Sequence, residues 1–404
     1  MTTTMPALDI DPYSDEVLSN PFDFYRRLRE AGPVVRVQQS EGFDLVAVGR
    51  DRTVRTLFDG PADFLNSRGG AILDLARDEP FREPGLLQEN DPPKHTAIRA
   101  IMSEVISPRN TRKLREQFQF AADTLVDRLL DLKTFDAQKE FAEAYPLKVI
   151  PDAIMGVPQE GRENLLRYSV FLFESMGPRT PRARRVLEEL GDLEEPISWV
   201  RESCRRENVA PGSFGSLIWA AVDRRELAET QAPNLVRSLV GAGVDTTIHS
   251  LANTLELLVR HPDQWKLLHD RPSRGKFAFD EAIRYDSTVR QVFRTPAGDT
   301  EIEGAPVREG QKIMLMLGAA NRDPERWGES ADQFDITRNA GGHVSFGRGI
   351  HQCVGSPIAR LEADVLLSTF ARRVTTIVPA GVSVPMLNNS LRGWSSLPVT
   401  ITAA

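Results

Sequence analysis

The sequence predicts a mainly α-helical fold with a smaller β portion, in one domain. Two observations support the fold class and a third supports the single domain. Apolar residues recur at helical spacing in several segments, the longest of which covers residues 233–260. Alternating apolar and polar residues, which are typical of strands, are confined to 34–48, 298–316 and the end of the chain, 375–404. No linker rich in Gly, Ser or Pro divides the 404 residues, of which 41% are hydrophobic, so we expect one domain over residues 1–404.

The first part of the chain is predicted to contain two helices and one hairpin. Residues 1–19 are predicted to be a polar N-terminal lead-in. Apolar residues at helical spacing predict a helix over 21–30, and alternation over 34–48 predicts a hairpin with its turn at residues 41–42. Helical spacing returns over 111–132, which predicts the second helix.

The rest of the chain alternates between helical patterns and short strand patterns. Helices are predicted over 145–155, 233–260 and 276–285, and Pro233 suits the first turn of the longest one. Residues 298–316 combine alternating runs with turn glycines and are predicted to form strands. The last residues, 375–404, show an alternating pattern with Pro and Gly between the runs, and they are also predicted to be β.

Composition excludes several classes of protein. A formal net charge of −7 argues against a general nucleic-acid binder. The two cysteines, Cys204 and Cys353, do not suggest a disulfide framework and fit a reducing cytoplasm. The N-terminus lacks a basic and apolar leader, and no apolar run approaches the ~18 residues of a membrane helix. We therefore expect a cytoplasmic protein with no nucleic-acid or membrane partner.

Cys353 lies in the most informative run of the sequence, F-G-R-G-I-H-Q-C-V-G over 346–355. Its glycines indicate a tight loop, and residues 357–363 are predicted to form the helix that follows. A thiolate at a helix N-terminus is stabilised by the helix dipole and by loop N–H groups, and it is a soft ligand for one metal ion. The alternative is that Cys353 is an inert core thiol, since free cysteines are often buried.

A second run, A-G-V-D-T-T over 242–247, lies inside the longest predicted helix. Glycine within a helix costs about 1 kcal/mol relative to alanine and therefore needs a reason. One reason is to let a flat group lie against the helix, and Thr246 is able to bond the carbonyl of Ala242 and bend the helix there. The alternative is a close helix–helix crossing made by small residues.

Both runs resemble motifs of the cytochrome P450 family. The first is similar to the family's haem-binding loop, F-G-x-G-x-H-x-C-x-G, with every fixed position filled, and the second to its oxygen-activating helix, A-G-x-[DE]-T. The resemblance implies the cytochrome P450 fold, haem b with Cys353 as the axial iron ligand and Phe346 as a haem contact, and O2 as co-substrate. It also implies that Asp245 and Thr246 relay protons for oxygen activation.

Other motifs of the family are matched elsewhere. Residues 91–99 resemble the D-P-P-x-H-[TS]-x-x-R motif, and the resemblance implies haem-propionate contacts at His95, Arg99, Arg294 and His351. A buried dianion needs such partners.

Glu281 and Arg284 match the family's E-x-x-R pair, and their spacing places both on one helix face. The resemblance implies a third, structural cation, for which Arg338 is our candidate and Arg326 the runner-up.

A narrower resemblance is to bacterial P450s that O-demethylate 4-methoxybenzoate, and it is carried by the runs at 143–147, 235–240, 342–344 and 391–398. In those enzymes two arginines and several serines lie around the substrate carboxylate. The corresponding substrate-binding positions here are Arg82, Gly85, Phe173, Met176, Arg237, Ser238, Gly241, Ala242, Val289, Val292 and Trp394.

Departures from that group affect the substrate pocket. Gly85 and Gly241 stand where the group has serines, so two hydroxyls that would bond an anion are missing. We expect these changes, with Met176, to make room for a bulkier ring. Ser238 and Asp245 are seven residues apart, which on a helix is roughly 10 Å and suits a small monocyclic aromatic.

The resemblance therefore implies a haem-thiolate monooxygenase that removes the methyl group of a small, lignin-derived methoxylated aromatic by oxidation and releases formaldehyde. The substrate is expected to be a methoxyphenol, such as syringol or guaiacol, or a 4-alkoxybenzoate. Alternatives are hydroxylation of another small aromatic or a terpenoid, and a non-catalytic haem-thiolate sensor.

No flavin or nicotinamide module fits in this length, so electrons are expected from a ferredoxin and a ferredoxin reductase that uses NAD(P)H. A basic patch for docking the ferredoxin is predicted from Arg109, Arg112, Lys113, Arg115 and Arg348. The alternative is an ordinary solvated face.

Overall fold

The structure of the chain, a computed structural model, describes residues 5–38, 42–43, 45–157 and 160–404. Its helices are α1 Asp15–Ser19, α2 Phe22–Ala31, α3 Asp51–Asp59, α4 Lys94–Val105, α5 Pro108–Arg112, α6 Arg115–Leu132, α7 Ala144–Val149, α8 Asn164–Glu174, α9 Pro181–Glu189, α10 Glu194–Ser203, α11 Phe214–Asp223, α12 Ala232–Arg260, α13 Pro262–Asp270, α14 Gly275–Tyr285, α15 Leu317–Ala320, α16 Pro324–Trp327 and α17 Ser356–Arg373. π-Helical turns, Gln138–Glu143 and Ile150–Met155, flank α7.

The strands are shorter than the helices and form small sheets. They are β1 Ala7–Leu8, β2 Val35–Val37, β3 Leu45–Val48, β4 Phe64–Leu65, β5 Thr134–Asp136, β6 Gln291–Pro296, β7 Thr300–Ile302, β8 Ala305–Val307, β9 Lys312–Met316, β10 Val374–Pro379, β11 Val384–Leu387, β12 Arg392–Ser396 and β13 Pro398–Ala403. The largest sheet has six strands in the order β1-β2-β3-β9-β6-β4, and β10, β13 and β5 form another. The predicted mainly α fold class with a smaller β portion is confirmed.

Helix α12 is the centre of the largest hydrophobic cluster. It is buried around most of its circumference, for example at Leu235, Leu251 and Leu258, which marks a core helix rather than a surface helix. Helices α8, α11 and α14 pack against it, and β12 crosses it near residue 249. The helix predicted over 233–260 is therefore the central core helix, against which other helices pack.

Several predicted elements differ from the structure in detail. The polar lead-in, residues 1–19, contains β1 and α1 in its described part and buries Tyr13 and Leu18, which the sequence reasoning did not predict. The helix predicted over 111–132 is interrupted between α5 and α6, and the one over 145–155 begins as α7 and ends as a π-helical turn.

The remaining predicted elements are closer to the structure. Strands β2 and β3 pair antiparallel, as the hairpin over 34–48 requires, while Glu41 of its turn lies outside the described residues. The helices over 21–30, 233–260 and 276–285 and the strands over 298–316 and 375–404 are confirmed to within a few residues.

No helix in the described ranges is both long and apolar enough to cross a membrane.

Candidate haem and substrate site

The loop that carries Cys353 is closed by a backbone hydrogen bond, because Cys353 N–H donates to Phe346 O at 2.8 Å. Gly347 and Gly349 have φ values of +67° and +70°, which side chains rarely adopt. A Cβ on Gly349 would also lie 2.7 Å from the carbonyl oxygen of Phe58, so this position requires glycine. The loop then enters α17 at Ser356, and the predicted loop followed by a helix is confirmed.

The side chain of Cys353 combines a deep position with exposed surface. Cys353 keeps exposed surface although protein surrounds it, so this surface faces the interior of the molecule. Burial raises the pKa of the Cys353 thiol, while the N–H groups of Gly355 and Ser356 and the charge of Arg99 lower it by less. The predicted stabilisation by loop N–H groups is therefore present, and burial outweighs it in the protein alone. An electropositive metal ion at the sulfur would favour the thiolate.

Two histidines predicted to contact the haem propionates lie together beside this loop. His95, on α4, and His351 have ring centroids 4.3 Å apart. Both ring nitrogens of His95 and Nε2 of His351 are buried and have no hydrogen-bond partner among the described residues. Buried polar atoms are nearly always paired, so three without a partner indicate a site for a hydrogen-bonding ligand.

Arg294 adds a buried cation to the same region. It lies on β6, where it pairs in register with Ile313 of β9, and only 4% of its surface is exposed. Its Nη1 donates to the carbonyl of the neighbouring Phe293 at 2.8 Å, and burial lowers its pKa to about 10. In the part of the chain that the structure describes, no carboxylate forms an ion pair with it.

The electrostatics of this group of residues favour an anion. Burial, and then the charge of Arg294, lower the pKa of His351 to about 3, and burial and Arg99 lower the pKa of His95. Arg99 donates to the carbonyl of Gln352 at 2.5 Å and so links α4 to the cysteine loop. Arg294 and Arg99 are positively charged and partly or fully shielded from water, and their charge lowers the pKa of the histidines. A negatively charged ligand stabilises such a group, and the two haem propionates supply negative charge. The residues present therefore fit haem b.

Two further groups of predicted residues make contacts of their own, Phe346 and the Glu281–Arg284–Arg338 cluster. The Phe346 ring lies 4.6 Å from the Arg360 guanidinium. Arg284 is fully buried and all its donors are used, two on Glu281 and the others on the carbonyls of Asn321, Ala331 and Gln333. Arg338 Nε donates to Glu281 Oε1 at 3.2 Å, so the three-residue cluster forms with our first candidate.

The middle of α12 brings Ala242 and Thr246 to an internal surface. Thr246 Oγ1 donates to the carbonyl of Ala242 at 2.7 Å, as predicted, and Ala242 is exposed although it lies in the core helix. Thr246 is itself partly exposed, whereas the next residue, Thr247, is buried. The exposed face of α12 is therefore the one that carries Ala242 and Thr246.

Asp245 is a buried carboxyl group close to a second titratable side chain. Burial raises its pKa to about 7 and lowers the pKa of His249 to about 4, and His249 Nε2 lies 3.6 Å from Asp245 Oδ1. The pKa of Glu143 is also raised, by burial first and then by the charge of Asp245. A carboxyl group with a pKa near neutrality is suited to both giving and taking a proton.

Two adjoining cavities extend from α12 towards helices α8 and α10. The larger has a volume of about 260 Å³ and is lined by residues that include Tyr168, Phe171, Ile197 and Asn234. The smaller, about 40 Å³, includes Leu172, Ser238, Gly241 and Ala242. Arg82, Tyr168 and Arg237 line both. The predicted Arg82, Arg237, Ser238, Gly241 and Ala242 are therefore brought together.

The glycine substitutions do not simply enlarge the pocket. A Cβ on Gly241 would lie 3.1 Å from Leu172 and 3.2 Å from Tyr168, so these side chains take the place of the missing serine. A Cβ on Gly85 would lie 2.7 Å from Gln88 Oε1 and 3.1 Å from Glu89 Oε2. Neighbouring side chains therefore approach the space that a serine would need at both positions, although Gly241 still lines the smaller cavity, and the expected room for a bulkier ring stays a prediction.

Other predicted substrate positions are placed away from these two cavities. Phe173 is buried, Met176, Val289 and Val292 are partly buried in hydrophobic clusters, and Trp394 lies on β12. The sequence reasoning missed the lining residues Tyr168, Phe171 and Leu172 on α8, although aromatic and apolar residues recur there at helical spacing.

Comparison with known proteins agrees with the motifs. A family model for Cytochrome P450 matches residues 276–402. The chain is similar to Cytochrome p450 CYP199A2 of Rhodopseudomonas palustris, with 43% identity over 401 residues that cover 99% of this chain and 95% of the relative. It is 31% identical to Vitamin D(3) 25-hydroxylase of Pseudonocardia autotrophica, covering 99% of this chain and 98% of that one.

Among solved structures, the chain resembles cytochrome P450 CREJ in complex with (4-ethylphenyl) dihydrogen phosphate. The TM-score is 0.84 and the identity 27%, and the match covers 95% of this chain and 98% of the other.

Proposed function

The chain belongs to the cytochrome P450 family, and from that premise we propose that it O-demethylates a small methoxylated aromatic by oxidation. Members of this family are monooxygenases, so the protein is an oxidoreductase that uses haem b and takes O2 as co-substrate. Haem iron with a thiolate ligand activates dioxygen for insertion of one oxygen atom into a C–H bond. The protein's contribution is to hold the haem, position the substrate and supply protons.

We assign haem binding to the residues that meet in the cysteine loop and beside it. Cys353 would supply the sulfur ligand of the haem iron, with Phe346 against the loop. His95, His351, Arg294 and Arg99 would hold the propionates, because the buried nitrogens of His95, His351 and Arg294 would then gain charged acceptors. The Glu281–Arg284–Arg338 cluster does not contact haem and instead fixes the segment that leads to the loop.

The overall reaction balances as the oxidation of a methyl ether. One substrate, one O2, two electrons and two protons give a phenol, formaldehyde and water. A C–H bond of the methoxy group becomes a C–OH bond, and the resulting hemiacetal breaks its bond between the methyl carbon and the aryl oxygen. The aryl oxygen keeps the electron pair and takes the hydroxyl proton, so formaldehyde leaves.

We assign proton delivery to Asp245 and Thr246. The Thr246 hydroxyl is held by Ala242 O at 2.7 Å, and its oxygen remains able to accept a proton donor. Burial keeps the pKa of Asp245 at about 7, so this carboxyl group is able to give a proton at neutral pH and be recharged. Together they form an acid–alcohol pair of neighbouring residues on α12, with the Asp245 carboxyl group buried and Thr246 on the exposed face.

The observation that carries the substrate proposal is the pair of adjoining cavities beside α12. The larger, of about 260 Å³, has room for a substituted benzene ring, and the smaller, of about 40 Å³, continues past Ser238 and Gly241 to Ala242, whose carbonyl holds the Thr246 hydroxyl. Leu172 and Tyr168 cover the side of the smaller cavity. An aromatic ring bound at Ser238 therefore points along α12 towards the proton-delivering pair, at the distance of about one substituted ring.

Electrons reach this family of bacterial enzymes from redox partners, and we propose a ferredoxin with its NAD(P)H-dependent reductase. The candidate docking residues Arg109, Arg112, Lys113, Arg115 and Arg348 are all exposed. Two are already paired, Arg115 with Asp364 and Arg348 with Asp59. The remaining three supply the net positive charge for an acidic partner.

The test is turnover with defined products. Purified holoprotein with a ferredoxin, its reductase and NAD(P)H is incubated with 4-methoxyphenol, guaiacol, syringol and 4-methoxybenzoate. We expect formaldehyde and the demethylated phenol in equal amounts from at least one of them. Ring-hydroxylated products without formaldehyde, or no product from any, would contradict the proposal.

A further inference from the structure

The wall of the substrate cavities contains two arginines that are already neutralised by the protein. Arg82 and Arg237 line both cavities, and they are the cations expected to meet an anionic substrate. Each is paired with a glutamate from residues 83–89, the segment that contains Gly85. The charge of the wall therefore depends on these glutamates as much as on the arginines.

Glu89 occupies Arg82 in the way a substrate carboxylate would. Arg82 Nη2 donates to Glu89 Oε1 at 2.8 Å and Nη1 to Oε2 at 3.1 Å, which is a two-point fork. The backbone N–H of Gly85 donates to the same carboxylate. Both partners are largely shielded, with 17% and 10% of their side chains exposed, so the pair is not weakened as a fully solvated pair would be.

Gly85 has a specific part in this arrangement. A Cβ at this position would lie 3.1 Å from Glu89 Oε2 and 2.7 Å from Gln88 Oε1. Glycine therefore allows the carboxylate to approach the backbone and Arg82 at the same time. Gly85 therefore lacks the serine hydroxyl that would bond a substrate anion, and it leaves space for the Glu89 carboxylate instead.

Arg237 is held by the other glutamate. Its Nη2 donates to the carbonyl oxygen of Glu83 at 2.9 Å, and Nη1 lies 3.4 Å from Glu83 Oε2. The Glu83 side chain is 65% exposed, so this pair is weaker than the first. A carboxylate entering the cavities would still have to compete with both glutamates for the same guanidinium groups.

Ser238 presents a hydrogen-bond acceptor rather than a donor. Its Oγ donates its proton to the carbonyl of Asn234 at 2.9 Å, which leaves the oxygen lone pairs for a ligand. A phenol hydroxyl is able to donate to this oxygen, whereas a carboxylate has only acceptors. The polar contact available on α12 therefore suits a neutral donor.

From these contacts we infer that the substrate is a neutral methoxyphenol and that Glu89 and Glu83 exclude methoxybenzoates. The inference rests on the proposed function and narrows it to one substrate class. A phenol with a pKa near 10 is neutral at pH 7, while a benzoate carries a full negative charge. Gly85, by admitting Glu89, is the position that sets this preference.

The test uses ligands that share a ring and differ at one end. Binding to the holoprotein at pH 7 is measured by calorimetry and by the haem spin shift for 4-methoxyphenol, 4-methoxybenzoate and the neutral ester methyl 4-methoxybenzoate. We expect 4-methoxyphenol to bind at least ~10-fold more tightly than the benzoate. The ester carries the bulk of the benzoate without its charge, so we expect it to bind more tightly than the acid.

Variants separate the two glutamates. Glu89→Gln keeps the shape and frees Arg82, so the affinity for 4-methoxybenzoate should rise by about 10-fold or more while that for 4-methoxyphenol changes little. Glu83→Gln should raise it by about 3-fold, since its pair is more exposed. Glu79→Gln, an exposed carboxylate of the same loop, is the matched control and should change neither.

Each outcome has a separate meaning. Equal affinity of the wild type for the phenol and the benzoate, or a benzoate affinity that neither glutamine variant raises, would overturn the inference. If Glu89→Gln does not fold, Glu83→Gln and the ester still decide it. The expected binding preference without formaldehyde from either ligand would overturn the proposed reaction and leave the charge preference standing.

Discussion

The two ends of the candidate site differ in how their cations are satisfied. At the haem end, the cation Arg294 is desolvated and has no carboxylate partner among the described residues, and both ring nitrogens of His95 and Nε2 of His351 have no hydrogen-bond partner there. At the substrate end, Arg82 and Arg237 are each held by a glutamate. The same residue types therefore indicate opposite ligands, a charged one at the first end and a neutral one at the second.

The difference follows from the cost of burying charge. A desolvated cation without a counter-ion is strongly unfavourable, so a site that keeps one is stable only with an anionic ligand. A cation that already has a carboxylate gains nothing from a second one, because the first must be displaced. Cation type alone therefore does not identify the ligand, and the pairing of each cation does.

The largest expected effect comes from the atom that defines the haem end. Cys353→Ser replaces the soft sulfur with a weak oxygen ligand, so we expect O-demethylation to fall on the order of a thousandfold or more. The carbon monoxide complex should also lose its thiolate-type absorption spectrum. Cys204→Ala, which removes the other thiol, should keep that spectrum. A thiolate-type spectrum in Cys353→Ser would mean that another residue holds the iron.

A smaller effect is expected from a cation of the haem end, and it compares the two ends directly. Arg294→Gln removes a charged partner of a propionate, so haem should dissociate about 10–100-fold more readily. The measurement is the transfer of haem to excess apomyoglobin.

Two controls accompany the Arg294 variant. Arg82→Gln, at the substrate end, and Arg271→Gln, on the surface, should leave the transfer rate unchanged. Equal losses from Arg294→Gln and Arg82→Gln would remove the distinction between the two ends.

The haem end was predictable from the sequence because its signals are local. The loop around Cys353 and the Ala242–Thr246 hydrogen bond are each contained in a few consecutive residues. Glu281 and Arg284 are also neighbours on one turn of a helix. Their geometry follows from the loop or the helix itself, and family resemblance supplied the distant members such as Arg294 and Arg338.

The substrate end was predictable only in part: family resemblance supplied residues such as Arg82 and Arg237, but their glutamate partners were not predicted, because these contacts join separate segments. Arg237 meets Glu83 across 154 positions of the chain, and no spacing rule relates them. Tyr168 and Leu172 fill the place beside Gly241 only once α8 has packed on α12. A glycine in the sequence suggests space, and tertiary packing decides how much of that space remains.

The same limit applies to the fold. Strongly periodic segments such as 233–260 became helices with nearly the predicted bounds. The elements of the lead-in were not predicted, because Val17 and Leu18 are buried by contacts with later parts of the chain, including hydrogen bonds from Arg290 to their carbonyls. Burial of a short polar segment depends on what packs against it, and the segment itself does not show this.

Between the two ends lies Asp245, and its titration gives the smallest predicted effect. Its folded pKa of about 7 is above the ordinary 3.8, so its contribution to stability is complete below pH 3.8 and is lost as the pH rises through 7. His249, whose pKa is lowered to about 4, has the opposite sign and costs stability as the pH falls from 6.5 to 4. Glu143 is the other acidic group that faces Asp245, and its pKa is raised.

Asp245→Asn should therefore stabilise the holoprotein at pH 8, where the wild type buries a charge, by roughly 1–3 kcal/mol. The gain should shrink towards pH 5, where Asp245 is protonated in the wild type. Chemical unfolding at both pH values measures the difference, with the exposed Asp131→Asn as the control. A gain that does not change with pH would mean that Asp245 already has a charged partner, as the arginines of the substrate end do. Asp245 would then resemble the paired charges of the substrate end, and only residues closer to the haem would remain without a charged partner.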